Sequence, residues 1–70
     1  MWTQGTIDGY AYWVKHYEEG SQFGIDGGRI SKLTIRKDGT ELYNYDRGLD
    51  FDRLDDYGKT VYIKILGKYN

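Results

Sequence analysis

Stretches rich in aromatic and β-branched residues run over Trp2 to Ile7 and Tyr10 to Tyr17, and again over Arg29 to Lys37 and Thr40 to Asp46. Residues of these types favour strands. Asp8-Gly9 separates the first two stretches and Asp38-Gly39 the second two. A two-residue type I′ turn needs positive φ at both central residues, which Gly adopts freely and Asp tolerates through local hydrogen bonds. The pattern therefore predicts two β-hairpins.

A two-residue turn fixes register, and register sorts the side chains onto faces. In the first hairpin, Ile7, Tyr10, Tyr12 and Val14 fall together, with the Tyr12 ring across from the bare backbone of Gly5. Trp2, Ala11, Trp13 and Lys15 take the opposite face. In the second, unbroken pairing from the turn sets Ile35 against Leu42 and Leu33 against Asn44 on an aliphatic side. Arg36 then meets Glu41, Thr34 meets Tyr43 and Lys32 meets Tyr45 on the other.

Between the hairpins, Glu18 to Gly28 carries Gly20, Gly24, Gly27 and Gly28, which marks a loop with close backbone approaches, anchored by Phe23 and Ile25. The last third of the chain carries two patterns. Leu54, Tyr57, Val61, Ile65 and Tyr69 recur at helical spacing, with Asp50 or Asp52 placed to cap the start and Lys64 and Lys68 near the end. Against this, Thr60, Val61, Ile63 and Ile65 are β-branched, and Gly58 costs a helix interior about 0.8–1 kcal/mol relative to Ala. The helical spacing is preferred. The expected fold is α+β, a four-stranded antiparallel sheet of two β-hairpins with one C-terminal helix packed on its aliphatic face. The alternative is an all-β domain in which Thr60 to Leu66 forms a fifth strand.

Seventy residues make a single domain, which buries only about 60% of the surface its unfolded chain exposes. With Cys 0, neither disulfides nor thiolate zinc can staple it. Hydrophobic residues are 39% and mean hydropathy is −0.78, so the 17% of aromatic residues, Tyr 8 and Trp 2 among them, must supply much of the contact area. A net charge of −1 and a pI near 5.7 lack the basic excess of a general nucleic-acid or membrane-surface binder. No apolar run approaches the ~20 residues of a membrane span, and no basic segment precedes an apolar one as in a secretory leader. The chain reads as cytoplasmic, with no membrane partner.

Gly24-Ile25, Gly27-Gly28-Arg29-Ile30-Ser31-Lys32-Leu33, Ile35-Arg36-Lys37 and Asn44-Tyr45-Asp46-Arg47-Gly48 resemble the signature of a small uncharacterised protein family of Gram-positive gut bacteria and their phages and mobile elements. The resemblance spans nearly the whole chain. It implies a terminal helix, since members end in a clearly helical segment, and it transfers no activity and no functional residue.

If the helix covers the aliphatic side, the other side of the sheet presents Trp2, Trp13, Lys15, Lys32, Arg36, Tyr43 and Tyr45. Three readings are open for this face. Phe23 and Ile25 could fold over the rings to make a second small core; the face could bind a protein, a second copy included, because Tyr, Trp and Arg anchor interfaces; or bases could stack on the rings while the cations neutralise phosphates. The acidic run Asp46 to Asp52 has oxygen donors at alternate positions, but Gly48 falls at the third and no Glu closes the ring, so it lacks a calcium loop's pattern. His16 is the only histidine and has no partner ligands or nucleophile in the sequence. Gly27-Gly28-Arg29 opens a strand, whereas phosphate cradles open a helix. No metal or cofactor is indicated. The expectation is a small, non-catalytic protein-interaction module, with a single-stranded nucleic-acid accessory protein as the alternative.

Overall fold

The computed structural model describes residues 1–70. Strands β1 (Trp2–Ile7), β2 (Tyr10–His16), β3 (Ile30–Lys37), β4 (Thr40–Asp46) and β5 (Leu49–Asp52) lie side by side in chain order, each antiparallel to the next. Helix α1 (Asp56–Tyr69) packs on one face. The α+β architecture is the expected one, but the sheet has five strands instead of four. Arg47, at φ 59°, and Gly48 turn the chain back so that Leu49 pairs with Tyr45 and Phe51 with Asn44. The added strand is therefore an acidic segment expected to lie outside the sheet, not Thr60 to Leu66. Ile63, which an all-β fold would bury beside Val61 and Ile65, is 66% exposed on the helix.

Both Asp-Gly turns form as predicted, with φ of 51° and 84° at Asp8 and Gly9 and 52° and 80° at Asp38 and Gly39. The first hairpin keeps its predicted register throughout, and Tyr12 does cover Gly5. A Cβ placed on Gly5 would stand 2.7 Å from the Tyr12 hydroxyl, so the ring occupies the space a side chain would need.

The second hairpin departs from expectation after Arg36–Glu41. A bulge places Leu42 and Tyr43 together against one step of β3, and Ile35 pairs with Tyr43, Thr34 with Asn44, Leu33 with Tyr45 and Lys32 with Asp46. The extra residue advances everything beyond it by one position. Leu42 still packs against the core, but Tyr43 and Tyr45 move to the helix side with it, and Asn44 takes the outward place. Leu42 also finds a second use, as its carbonyl accepts the Arg53 N–H at 2.6 Å where the chain leaves β5.

The core lies between sheet and helix. Tyr10, Tyr12, Val14, Leu33, Ile35 and Tyr43 from the strands meet Val61 and Ile65 from α1, with Ile25, Ile30 and Leu54 closing the ends. Tyr57, expected on this face, is 78% exposed; the buried helical positions are Gly58, Val61 and Ile65, flanked by Tyr62, Leu66 and Tyr69. Phenols joined across the layers complete the packing. The Tyr12 and Tyr69 hydroxyls share a hydrogen bond of 2.9 Å, and the Tyr43 and Tyr62 rings lie tilted at 5.0 Å. No helix is long and apolar enough to cross a membrane.

Asp55, not Asp50 or Asp52, caps the helix. Its carboxylate accepts the Gly58 N–H at 2.6 Å and the Tyr10 hydroxyl at 2.7 Å, which ties the cap to the second strand. Asp50 is held in β5, accepting from the Asn44 amide, and Asp52 accepts the Leu54 N–H in the turn before the helix. A Cβ added at Gly58 would stand 2.9 Å from the capping oxygen and 3.0 Å from the Leu54 side chain, so a larger residue would make the cap shift.

The Tyr10 hydroxyl, followed by the Gly58 amide, holds the Asp55 carboxyl below its usual range, and the same bond helps push the Tyr10 phenol up to about 12. The carboxylate's contribution to stability is therefore complete above the unfolded-state value near 3.8 and is lost as pH falls through the lower folded-state value. The phenol's contribution is complete below about 10 and is lost as pH rises toward 12. Asp55→Asn retains an efficient capping residue while removing the charge. Its melting temperature should lie below that of the parent at neutral pH, and the gap should close as the acid titration passes below pH 3.8. A gap unchanged down to pH 2 would show that the charge is irrelevant.

Candidate interaction surface

The sheet face away from α1 is built by the outward residues of each strand. Trp2, Gln4 and Thr6 of β1 lie across from Lys15, Trp13 and Ala11 of β2, which in turn lie across from Lys32, Thr34 and Arg36 of β3. Glu41, Asn44 and Asp46 of β4 and Phe51 of β5 continue the face. Strand alternation, offset once by the β4 bulge, places these side chains, so no flexible loop is needed to assemble the surface.

Of the predicted site residues, Trp2, Trp13, Lys15, Lys32 and Arg36 are brought together here. Tyr43 and Tyr45 are not. The bulge at Leu42 sends Tyr43 into the core at 4% exposure, and Tyr45 beside it, where its hydroxyl donates to the Phe23 carbonyl at 2.9 Å. Burial, with the neighbouring Tyr62 hydroxyl, raises the Tyr43 phenol far above its ordinary value.

The face is not roofed. Ile25 joins the main core at 4% exposure, and its carbonyl accepts a hydrogen bond from the Asn70 side chain at the end of α1. Phe23 sits at the rim under the Arg47 guanidinium, 4.3 Å from its ring centroid. The Gly-rich loop therefore closes the helix side, and the second small core does not form.

Trp2 is 58% exposed and half-buried Trp13 lies one strand further in, with the Arg36 guanidinium 5.3 Å from its ring centroid. Together with Thr34 and Glu41 they line a shallow cleft of about 340 Å³. A second cleft of 290 Å³ is lined by Lys15, Tyr17, Phe23, Lys32 and Arg47 among others. Lys15 lies 6.0 Å from the Trp2 ring and 5.6 Å from that of Tyr17. The other two predicted cations have acidic partners, Arg36 with Glu41 at 3.1 Å and Lys32 with Asp46 at 3.6 Å. A polar relay crosses the far half of the face: the Thr34 hydroxyl donates to Asn44 Oδ1 at 2.6 Å, and Asn44 Nδ2 donates to the Asp50 carboxylate at 2.7 Å. Sequence reasoning missed Asn44 and Phe51 because both depend on the bulge and on β5.

The remaining candidates have structural partners. His16 is within 3.1 Å of the Thr3 hydroxyl and 4.9 Å from the Tyr69 ring, and burial, then the N-terminal amine and Arg29, lowers its pKa, which favours the neutral ring. In the glycine turn, the Gly27 and Gly28 amides donate to the carbonyls of Gly24 and Ile25, which uses the groups an anion nest would offer. Carboxylates of the acidic run are directed separately to Lys32, Asn44 and the Leu54 amide, and no group of three metal-ligating side chains converges.

A family model described as a domain of unknown function, DUF7678, matches residues 1–70. Among curated proteins and solved structures, none matches.

Proposed function

For this chain, which belongs to the DUF7678 family, we propose a small, non-catalytic interaction module of the cytoplasm that binds a protein partner through its open sheet face. The observation that carries this reading is the pair of exposed Trp2 and half-buried Trp13, flanked by Arg36 and left uncovered by both helix and loop. Trp and Arg are the residues most enriched among interface anchors, and rigid strands hold them at little entropic cost. Interleaved charges of both signs, Lys32 with Asp46 and Arg36 with Glu41, suit a protein surface better than a polyanion.

Single-stranded nucleic acid remains the competing partner. Its support is weaker once Tyr43 and Tyr45 leave the face, since the stacking platform loses two rings. Of Lys15, Lys32 and Arg36, only Lys15 has no carboxylate within ion-pair distance. Neutralising one phosphate contributes about −0.7 to the slope of log affinity against log salt. Binding through this face would therefore show a shallow salt dependence.

The test is affinity capture from lysate with and without nuclease, using the parent chain and Trp2→Ser/Trp13→Ser. Both indoles lie outside the core, so the double variant should melt within a few degrees of the parent. Capture of a protein that survives nuclease and disappears with the variant supports the reading. Capture that depends on nucleic acid, or is indifferent to the two substitutions, overturns it.

A further inference from the structure

The two edges of the sheet are unlike. β5 is four residues long, carries Asp50 and Asp52, and faces a register break in β4. Short length, charge and irregularity are the devices by which natural sheets discourage pairing at an edge. β1 has none of them. Trp2–Ile7 contains no charged residue and no proline, and it pairs with β2 without a break.

Hydrogen-bond parity identifies which groups of β1 face outward. The Met1 amine donates to the His16 carbonyl and the His16 amide to the Met1 carbonyl, at 3.1 and 2.9 Å, so these two residues exchange both bonds. Alternation along an antiparallel ladder then directs the amides and carbonyls of Thr3, Gly5 and Ile7 toward β2. Those of Trp2, Gln4 and Thr6 point away from the sheet, where no strand lies beyond them.

We infer that β1 pairs with β1 of a second copy of this chain, antiparallel about a two-fold axis through Gln4. The edge is self-complementary in this arrangement. Gln4 exchanges both backbone bonds with its mate, and Trp2 and Thr6 exchange theirs with the mate's Thr6 and Trp2, so every outward group of the strand is used. The side chains agree with the backbone. On the open face, Gln4 meets Gln4, whose amides can donate to and accept from each other, and the Trp2 ring lies over Thr6. On the helix side, Thr3 meets Gly5 and Ile7 meets Met1. No like charges oppose one another. The result is a continuous double-width sheet with its helices on one side and the tryptophans of both copies on the other. A second copy is favoured over an unrelated strand because the register requires only what β1 itself supplies.

This inference is separate from the proposed partner, which uses the face and not the edge. Sedimentation equilibrium of the parent chain up to about 1 mM, the weak end of specific association, is expected to show a monomer–dimer equilibrium. Gln4→Pro removes an outward amide that β2 does not use, and proline is tolerated on sheet edges. It should leave the melting of the dilute chain nearly unchanged and weaken dimerisation at least tenfold. Gln4→Cys introduces the only thiol in the chain. Directly opposed hydrogen-bonded residues have Cα atoms about 5.5 Å apart, within disulfide reach, so this variant should oxidise to a linked dimer while Thr3→Cys stays reduced. A parent chain that is monomeric throughout the range overturns the inference. So does a dimer that survives Gln4→Pro, or one in which Thr3→Cys links as readily as Gln4→Cys. Loss of partner capture with the dimer intact would instead remove the proposed function alone.

Discussion

Ile35→Ala should leave the domain close to unfolding. Ile35 is fully buried in the central strand, between Tyr12 on β2 and Tyr43 on β4, within the cluster that α1 covers. Truncation removes apolar burial and leaves a cavity, at a cost of about 2–5 kcal/mol. A domain of this length has roughly 4–10 kcal/mol to lose. The melting temperature should fall by about 10–30 °C, and in urea the midpoint should move sharply while Thr6→Ala, on the exposed edge, stays within about 0.5 kcal/mol of the parent. A loss of only a few degrees at Ile35 would mean that the strand is not where the packing is concentrated.

Removing one residue from β4 should have opposite outcomes at neighbouring positions. Deleting Asn44 forces either Tyr43 or Tyr45 onto the open face and breaks the match with Leu33 and Ile35, so no cooperative melt is expected. Deleting Leu42 removes the extra residue of the bulge and lets Glu41 and Tyr43 follow Arg36 and Ile35 in regular pairing. That variant should still fold, at a lower melting temperature, because Arg53 loses its carbonyl partner and the core loses part of an aliphatic side chain. Circular dichroism melts of the two deletions decide the matter. If both fail to fold, the bulge is not a simple insertion.

The same bulge explains where the sequence was readable and where it was not. Asp8-Gly9 and Asp38-Gly39 state their turn type through local chemistry, and Tyr12 over Gly5 follows from counting outward from such a turn. Counting fails at Glu41-Leu42-Tyr43, where no glycine or proline marks the irregularity and two neighbouring apolar side chains both gain by turning inward. Tyr43 and Tyr45 were misplaced for that reason. Leu49 and Phe51 do alternate with Asp50 and Asp52, so β5 had a pattern, but one short enough to be taken for helix-capping chemistry. On the helix, equal spacing made Tyr57 as plausible a core residue as Val61. Only docking against Tyr10 and Tyr43 selects Gly58, Val61 and Ile65. Trp2, Trp13 and Lys15 were legible because the β1–β2 hairpin pairs without a break, and Lys32 and Arg36 because they lie on β3, the unbulged partner of β4.

The location of the two indoles also decides what light can report about this protein. Both Trp2 and Trp13 belong to the open face, while the buried rings are tyrosines. Indole emission therefore reads the polarity of the open sheet face and is largely silent about the interior, so the chain carries an intrinsic optical sensor for anything that comes to rest there.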